Sequence, residues 1–272
     1  MMRRVSLYRV IGVMILILVL APVGWLVICA LRPSSDVLNH PYSLSGRLTA
    51  QNLVEAFHLP GFARSLTNSF VAALLSSLLT MAICVPVGYA SSRYEFTGRR
   101  FVQGLGIAGY ILSPVILAIP YFRLLATVDL TNSVVGITLL HVALSIPFCL
   151  SLLDLLFQSV PSAPEEVALL AGMEGLTLLR RIVLPSARLP ILAIGLLAFL
   201  VSWKEYFYSF VVSSGENSRT LPLLLSAMMA GEVPQWHLLF ALSVVLILPG
   251  IALVTVATRM GISGRTEGGA RD

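Results

Sequence analysis

The chain has 272 residues, 57% hydrophobic and only 11% charged, with a mean hydropathy of +0.90. A soluble domain carries roughly a quarter charged residues, so this composition excludes a water-soluble globular protein and points to a polytopic α-helical membrane protein. The net charge of +5 is no nucleic-acid signal, because the arginines are spread over short loops and their side of the membrane accounts for them. Cys29, Cys84 and Cys149 sit in apolar runs at unrelated spacings, as small buried side chains do and as disulfide frameworks or zinc sites do not.

A hydrocarbon core takes about 20 apolar residues as helix. Six stretches qualify in chain order: 7–31, 68–90, 101–124, 134–157, 190–212 and 236–258. Arg3, Arg4 and Arg9 precede the first apolar core. That core is too long for a signal-peptide h-region of about 7–15 residues, and it lacks a clear cleavage site, so it reads as an uncleaved anchor. Pro86, Pro114, Pro120, Pro147 and Pro249 fall inside the spans. Bent helices of this kind suit a gated path, and they equally suit ordinary membrane packing. With the N-terminus inside, the inner segments hold Arg3, Arg4, Arg9, Arg93, Arg99, Arg100, Arg180, Arg181, Arg188, Arg259, Arg265 and Arg271. The outer segments hold Arg32, Arg47, Arg64, Arg123 and Arg219. The inward excess places both termini in the cytoplasm, as an even number of spans requires. A single transmembrane domain over 1–272 is expected.

The loop 161–185 is the longest that this pattern puts in the cytoplasm. Ser162-Ala163-Pro164-Glu165 has the form of a capping box, in which Ser162 accepts from the third helical amide and Glu165 reaches back. Pro164 suits a first turn, and Glu165 and Glu166 suit the positive end of the helix dipole. A helix from about Ala163 should stop at Gly172, the residue best able to take the left-handed position after a helix. A second helix, about Gly175 to Leu184, should end before Pro185. Its apolar face is Leu178, Leu179 and Ile182, with Arg180 and Arg181 pointing elsewhere. By amphipathicity alone, such a hairpin lies on lipid, packs under its own bundle, or holds another protein.

The register Glu166, Ala168, Gly172, Ile182, Leu184 and Pro185 resembles the "EAA loop" of ATP-binding cassette importer permeases. Six fixed matches arise by chance on the order of 10⁻⁷ per start position. The loop also lies between the fourth and fifth of six spans, where that family carries it. Asn68-Ser69, Tyr94-x-Phe96-x-Gly98-Arg99-Arg100, Ser202-Trp203 and the Gly-rich tail Gly261–Asp272 are similar to the shorter permease of the carbohydrate branch, with its maltose-type and glycerol-phosphate-type importers. The resemblance implies a type I importer permease fold, all-α with six transmembrane helices and a cytoplasmic coupling-helix hairpin. It implies docking to an ATPase groove through Glu166, Val167, Ala168, Leu169, Leu170 and Gly172, by helix-in-groove recognition. Val167 departs from the family's first Ala, and Ala171 stands where the sugar importers have Asp.

The only lysine, Lys204, falls inside the fifth span and is followed by Glu205. Intramembrane charges are costly and face a cavity or a partner. Helix neighbours point about 100° apart, so these two should not pair with each other. Two readings follow for this segment. Trp203, Lys204, Glu205 and Tyr208 line the translocation path, or Lys204 makes an ion pair with a partner permease. Lys204 replaces the Asn that the family shows after Trp.

No P-loop is present, since that motif needs Gly-Lys-Ser/Thr and the only lysine lies in Trp203-Lys204-Glu205. The histidines at 40, 58, 141 and 237 show no ligand spacing and read as structural, and no metal site is expected. Asp154 near the end of the fourth span reads as solvated or paired rather than as a proton relay. The chain is therefore expected to be a non-catalytic subunit without its own cofactor, with ATP and Mg bound by a separate ATPase. The resemblance implies a second permease subunit, two ATPase copies, a sugar substrate and an extracytoplasmic solute-binding protein, the last contacting the loops 32–67 and 213–235. It also implies a bacterial or archaeal cytoplasmic membrane. The alternative is a stand-alone secondary transporter or channel for a small polar solute, which predicts acidic relays and paired broken helices. A membrane-embedded enzyme would need clustered His, Asp or Glu, which the sequence does not show.

Overall fold

The computed structural model describes residues 2–40, 42–43, 47–111, 113–231 and 234–268, with side chains for these except 2–8, 107, 108, 110, 111 and 257–268. Arg271 and the end of the Gly-rich tail lie outside the described residues, as do the side chains of Arg3, Arg4, Arg259 and Arg265. The helices in chain order are α1 (Met2–Ala30), α2 (Ser34–Asn39), α3 (Gln51–Phe57), α4 (Phe62–Arg93), α5 (Arg99–Ile111), α6 (Pro114–Thr127) and α7 (Val134–Ser159). Next come α8 (Ala163–Leu170), α9 (Gly175–Leu178), a π-helical turn (Leu179–Val183), α10 (Leu184–Ser186), α11 (Arg188–Trp203), α12 (Phe207–Val212), α13 (Leu221–Met229) and α14 (Trp236–Gly268). No strand occurs among the described residues.

Four stretches are long and apolar enough to cross a membrane as single helices: Arg9–Ala30, Phe62–Arg93, Val134–Ser159 and Trp236–Val256. They coincide with the first, second, fourth and sixth expected spans. The helices continue through Pro86, Pro147 and Pro249. The other two expected spans are not continuous, and this corrects the sequence reading. The stretch 101–124 is divided between α5 and α6. Ser113 is extended at φ −67°, ψ 132°, and Pro114 opens α6. A residue before proline is pushed out of the α region, so the break falls where the chemistry puts it. The stretch 190–212 is divided between α11 and α12, with residues 204–206 between them.

The chain forms two compact units, Met1–Ala63 with Leu224–Pro249, and Arg64–Leu223 with Gly250–Asp272. In the first, the apolar side chains of α1 from Val10 to Leu20 are exposed, a surface that only lipid or another chain could cover. The loop after α1 is pinned by Asn52, whose Nδ2 donates to the carbonyls of Ala30 (3.0 Å) and Arg32 (2.6 Å).

In the second unit α5 and α11 pack on α7. The core there contains Cys84, Val85 and Tyr89 of α4, Leu150, Leu153 and Phe157 of α7, and Leu179, Val183 and Ile194 further along. A Cβ at Gly88 would lie 2.9 Å from the Leu153 Cβ, so glycine there lets α4 approach α7. The Asn68-Ser69 pair also has a structural explanation. Asn68 Nδ2 donates to the carbonyls of Asn217 and Arg219, and Ser69 Oγ accepts from the Leu221 amide at 2.7 Å. The pair thus fixes the start of α13, a helix inside the expected loop 213–235.

Candidate functional site

The hairpin after α7 begins with α8 at Ala163, as expected, but its cap differs. Ser162 is in the right-handed helical region and its side chain accepts no amide. Its hydroxyl donates instead to Glu166 Oε1 at 2.6 Å. Glu165 does not reach back to Ser162, because stronger partners take it. Arg93 at the end of α4 donates to both carboxylate oxygens, Nη2 to Oε1 at 2.9 Å and Nε to Oε2 at 3.2 Å, and Tyr89 OH donates to Oε2 at 2.9 Å. A bidentate charge-assisted pair outweighs a neutral capping bond, so the expected capping box is replaced by a tertiary clamp. Glu165 and Ala168, three residues apart and therefore on one helix face, are both buried.

The opposite face is open. Val167 is 68% exposed, Leu169 43% and Leu170 91%, and Glu166 is exposed beside them. Gly172 takes φ +81°. Its amide donates to the Leu169 carbonyl at 2.9 Å and the Met173 amide donates to the Ala168 carbonyl at 3.0 Å, the two bonds of a Schellman ending. The second arm buries Leu178 and Leu179 and leaves Arg180 and Arg181 exposed, with Ile182 half-buried and Val183 added to the buried side. It does not stop before Pro185 but runs through it to Ser186. Proline lacks the donor to the fourth preceding carbonyl and crowds it, and the π-helical turn just before Pro185 widens the coil there. The bend comes later, between Gly175–Ser186 and Arg188–Trp203, at 88°.

The four candidate path residues in the fifth expected span do not share one surface. Trp203 is buried against Phe199, with stacked rings 5.9 Å apart. Tyr208 is buried in an apolar cluster with Leu125, Leu140 and Val212. It also lines a cavity of about 480 Å³ with Pro114, Tyr121, Leu144 and Pro147. Lys204, the C-cap of α11, is exposed, and no ion pair to it occurs among the described residues. Glu205 turns inward. Its Oε2 lies 3.1 Å from His141 Nε2, and its two oxygens accept the amides of Tyr208 (2.9 Å) and Ser209 (3.1 Å). The carboxylate thereby satisfies the first free amides of α12 and allows the helix to restart after the break.

Lys204 and Glu205 do not pair, as expected, and the partner of Glu205 is on another helix. That partner, His141, is 1% exposed and also meets Ser202 Oγ at 2.6 Å through Nδ1. The sequence reading set His141 aside for want of ligand spacing. Its position in the middle of an apolar span was the available signal, since an ionisable group there needs a partner. Among the described residues no group of three or more His, Cys, Asp and Glu side chains could hold a metal.

Residues 83–261 match the model for the inner membrane component of binding-protein-dependent transport systems. The chain belongs to this family. Its relatives include the sulfoquinovosyl glycerol transport system permease protein SmoH of Agrobacterium fabrum, 29% identical over 93% of this chain and 89% of SmoH. The trehalose/maltose transport system permease protein MalG of Thermococcus litoralis is 25% identical over 94% of this chain and 93% of MalG. The fold is that of an importer permease. The structure superimposes with a TM-score of 0.75 on a chain of a bacterial ABC transporter involved in the import of the acidic polysaccharide alginate, covering 94% of this chain and 96% of that one at 19% identity. Membership accounts for the apolar helices as membrane spans of an ABC transporter permease, and the hairpin 163–186 lies inside the matched region.

Proposed function

We propose that this permease is one half of the translocation path of an ATP-driven sugar importer, completed by a second permease subunit and driven by an ATPase that docks on the Glu166–Pro185 hairpin. The observation that carries the proposal is the outward face of α8. Val167 and Leu170 stand clear of the chain while Glu165 and Ala168 hold the helix from behind. A rigid apolar helix face with one carboxylate, Glu166, at its edge suits insertion into a groove. Ala168 is turned inward, so within the expected docking set it fixes the helix and the others supply the contact. Sugar as the cargo class follows from SmoH and MalG, whose names give sulfoquinovosyl glycerol and trehalose/maltose.

The chemistry then belongs to the partners. ATP and Mg are bound by the ATPase, an extracytoplasmic binding protein delivers the sugar, and this chain converts closure of the ATPase into alternating access by shifting a two-state bundle. Lys204, exposed in the break of the fifth span, is placed to meet either the path or the partner permease. The test is purification of the tagged chain co-expressed with the second permease and the ATPase. The wild type should bring down the ATPase in stoichiometric amount, and Leu170→Asp, which sets a charge into the groove, should lose it while the two permeases stay together. Active uptake by this permease in vesicles free of any ATPase would refute the proposal.

A further inference from the structure

The clamp behind α8 reaches three elements at once. Arg93 ends α4, and its guanidinium spans Glu165 in α8 and the Val160 carbonyl just past α7, the latter at 2.7 Å. The Arg93 and Glu165 side chains are only 17% and 8% exposed. Tyr89, which donates to the same carboxylate, is itself fixed edge-on against Phe157 of α7 and Tyr94, with centroids 5.6 Å and 6.0 Å apart. The two arms of the hairpin are therefore attached differently. The second arm is held by apolar packing of Leu178, Leu179 and Val183, which slides at low cost. The first arm carries the exposed docking face and is held by directional, charge-assisted bonds, which do not.

We infer that Tyr89, Arg93 and Glu165 form the joint that carries displacement of α8 into the membrane helix α4, as positioning residues for coupling. The inference rests on the reading that α8 docks the ATPase. Packed side chains and ion-pair networks both carry motion between elements, and contacts that resist both shear and rotation carry it with the least slip. A bidentate pair with a third donor from the same helix resists both, whereas Ala168 alone resists neither. Without the joint, closure of the ATPase would tilt α8 about its own ends while α4 stayed put. Hydrolysis would continue and transport would fall behind it.

The experiment uses the full complex with its binding protein in proteoliposomes, and reads ATPase content, hydrolysis and labelled-sugar uptake. Arg93→Met and Glu165→Gln should keep the ATPase bound and hydrolysing, while sugar imported per ATP drops about five-fold or more, the lower end of ordinary coupling between sites. Arg93→Lys, which retains the charge, should recover part of the ratio. A merely structural role would lower hydrolysis and uptake together and leave the ratio unchanged, and that result would overturn the inference. If Arg93→Met does not assemble, Tyr89→Phe decides, since it deletes one hydroxyl. A reduced ratio supports the joint and a wild-type ratio overturns it. Failure of the docking reading is seen separately, as a wild-type complex that never contains the ATPase.

Discussion

Gly172 sits at φ +81° with open space around the position a Cβ would take. Substitution there meets no neighbour, so any cost is backbone strain alone. An ordinary residue in the left-handed region costs about 1–2 kcal/mol, while asparagine visits it readily. Gly172→Asn should therefore preserve ATPase binding, and Gly172→Val should reduce it by about ten-fold or more, because the Schellman bonds that end α8 would open. Affinity of the purified ATPase for the membrane-bound permease measures both. Equal loss in the two variants would mean that the small size of Gly172, and not its conformation, is what docking needs. The other end of the residue scale is Glu205. Its charge was legible as a feature needing a partner, but the partner was not. His141 is 64 positions away, and only packing of α7 against the break after α11 brings them together. Local pattern contains no term for that.

Elements show the same division between local chemistry and tertiary competition. Gly172 and the apolar Leu178 and Leu179 were readable because turn conformation and helical periodicity are properties of adjacent residues. The four uninterrupted spans were readable for the same reason. The break at Pro114 was signalled by the proline, but five prolines carried the same signal and four of the helices continue through theirs. Which proline breaks a span depends on neighbours that the sequence does not list in order. Ser162 shows competition most directly. Its sequence context is a capping box, yet Arg93 and Tyr89 claim the Glu165 carboxylate, and Ser162 sits in the right-handed helical region, where its carbonyl and not its hydroxyl accepts the Glu165 and Glu166 amides. Ser133 does cap, accepting from the Gly136 amide at 3.0 Å at the start of α7. Loss of a working cap costs about 1 kcal/mol. Ser133→Ala should lower thermal stability in detergent by about that amount, and Ser162→Ala by less than about half of it. The reverse order would restore the capping box to α8 and weaken the case that the clamp holds it.

Crossing number is the property of the whole molecule on which the broken helices bear. α6 has 14 residues and α11 has 16, which at 1.5 Å per residue reach about 21 Å and 24 Å. Neither spans a hydrocarbon core of about 30 Å. Each crosses only if its other half, α5 or α12, completes the passage. Otherwise the pair dips in and returns. Parity separates the cases. Leu48 precedes α4, Leu170 lies in the hairpin, and Glu216 follows α12, and all three are well exposed. Between Leu48 and Leu170 lie α4, the α5–α6 pair and α7, three passages if the pair crosses and two if it returns. Between Leu170 and Glu216 lies only the α11–α12 pair. Cysteine substitutions at these positions, labelled from either side of sealed vesicles with an impermeant maleimide, report the side directly. Cys29, Cys84 and Cys149 are buried and should stay silent. The six-span reading predicts Leu48→Cys and Glu216→Cys labelled from outside and Leu170→Cys from inside. Labelling of Leu48→Cys on the same side as Leu170→Cys would make α5–α6 re-entrant and remove the parity that places both termini together. Labelling of Glu216→Cys on the Leu170→Cys side would do the same for α11–α12, and Lys204 would then stand at the turn of a re-entrant loop instead of inside a crossing.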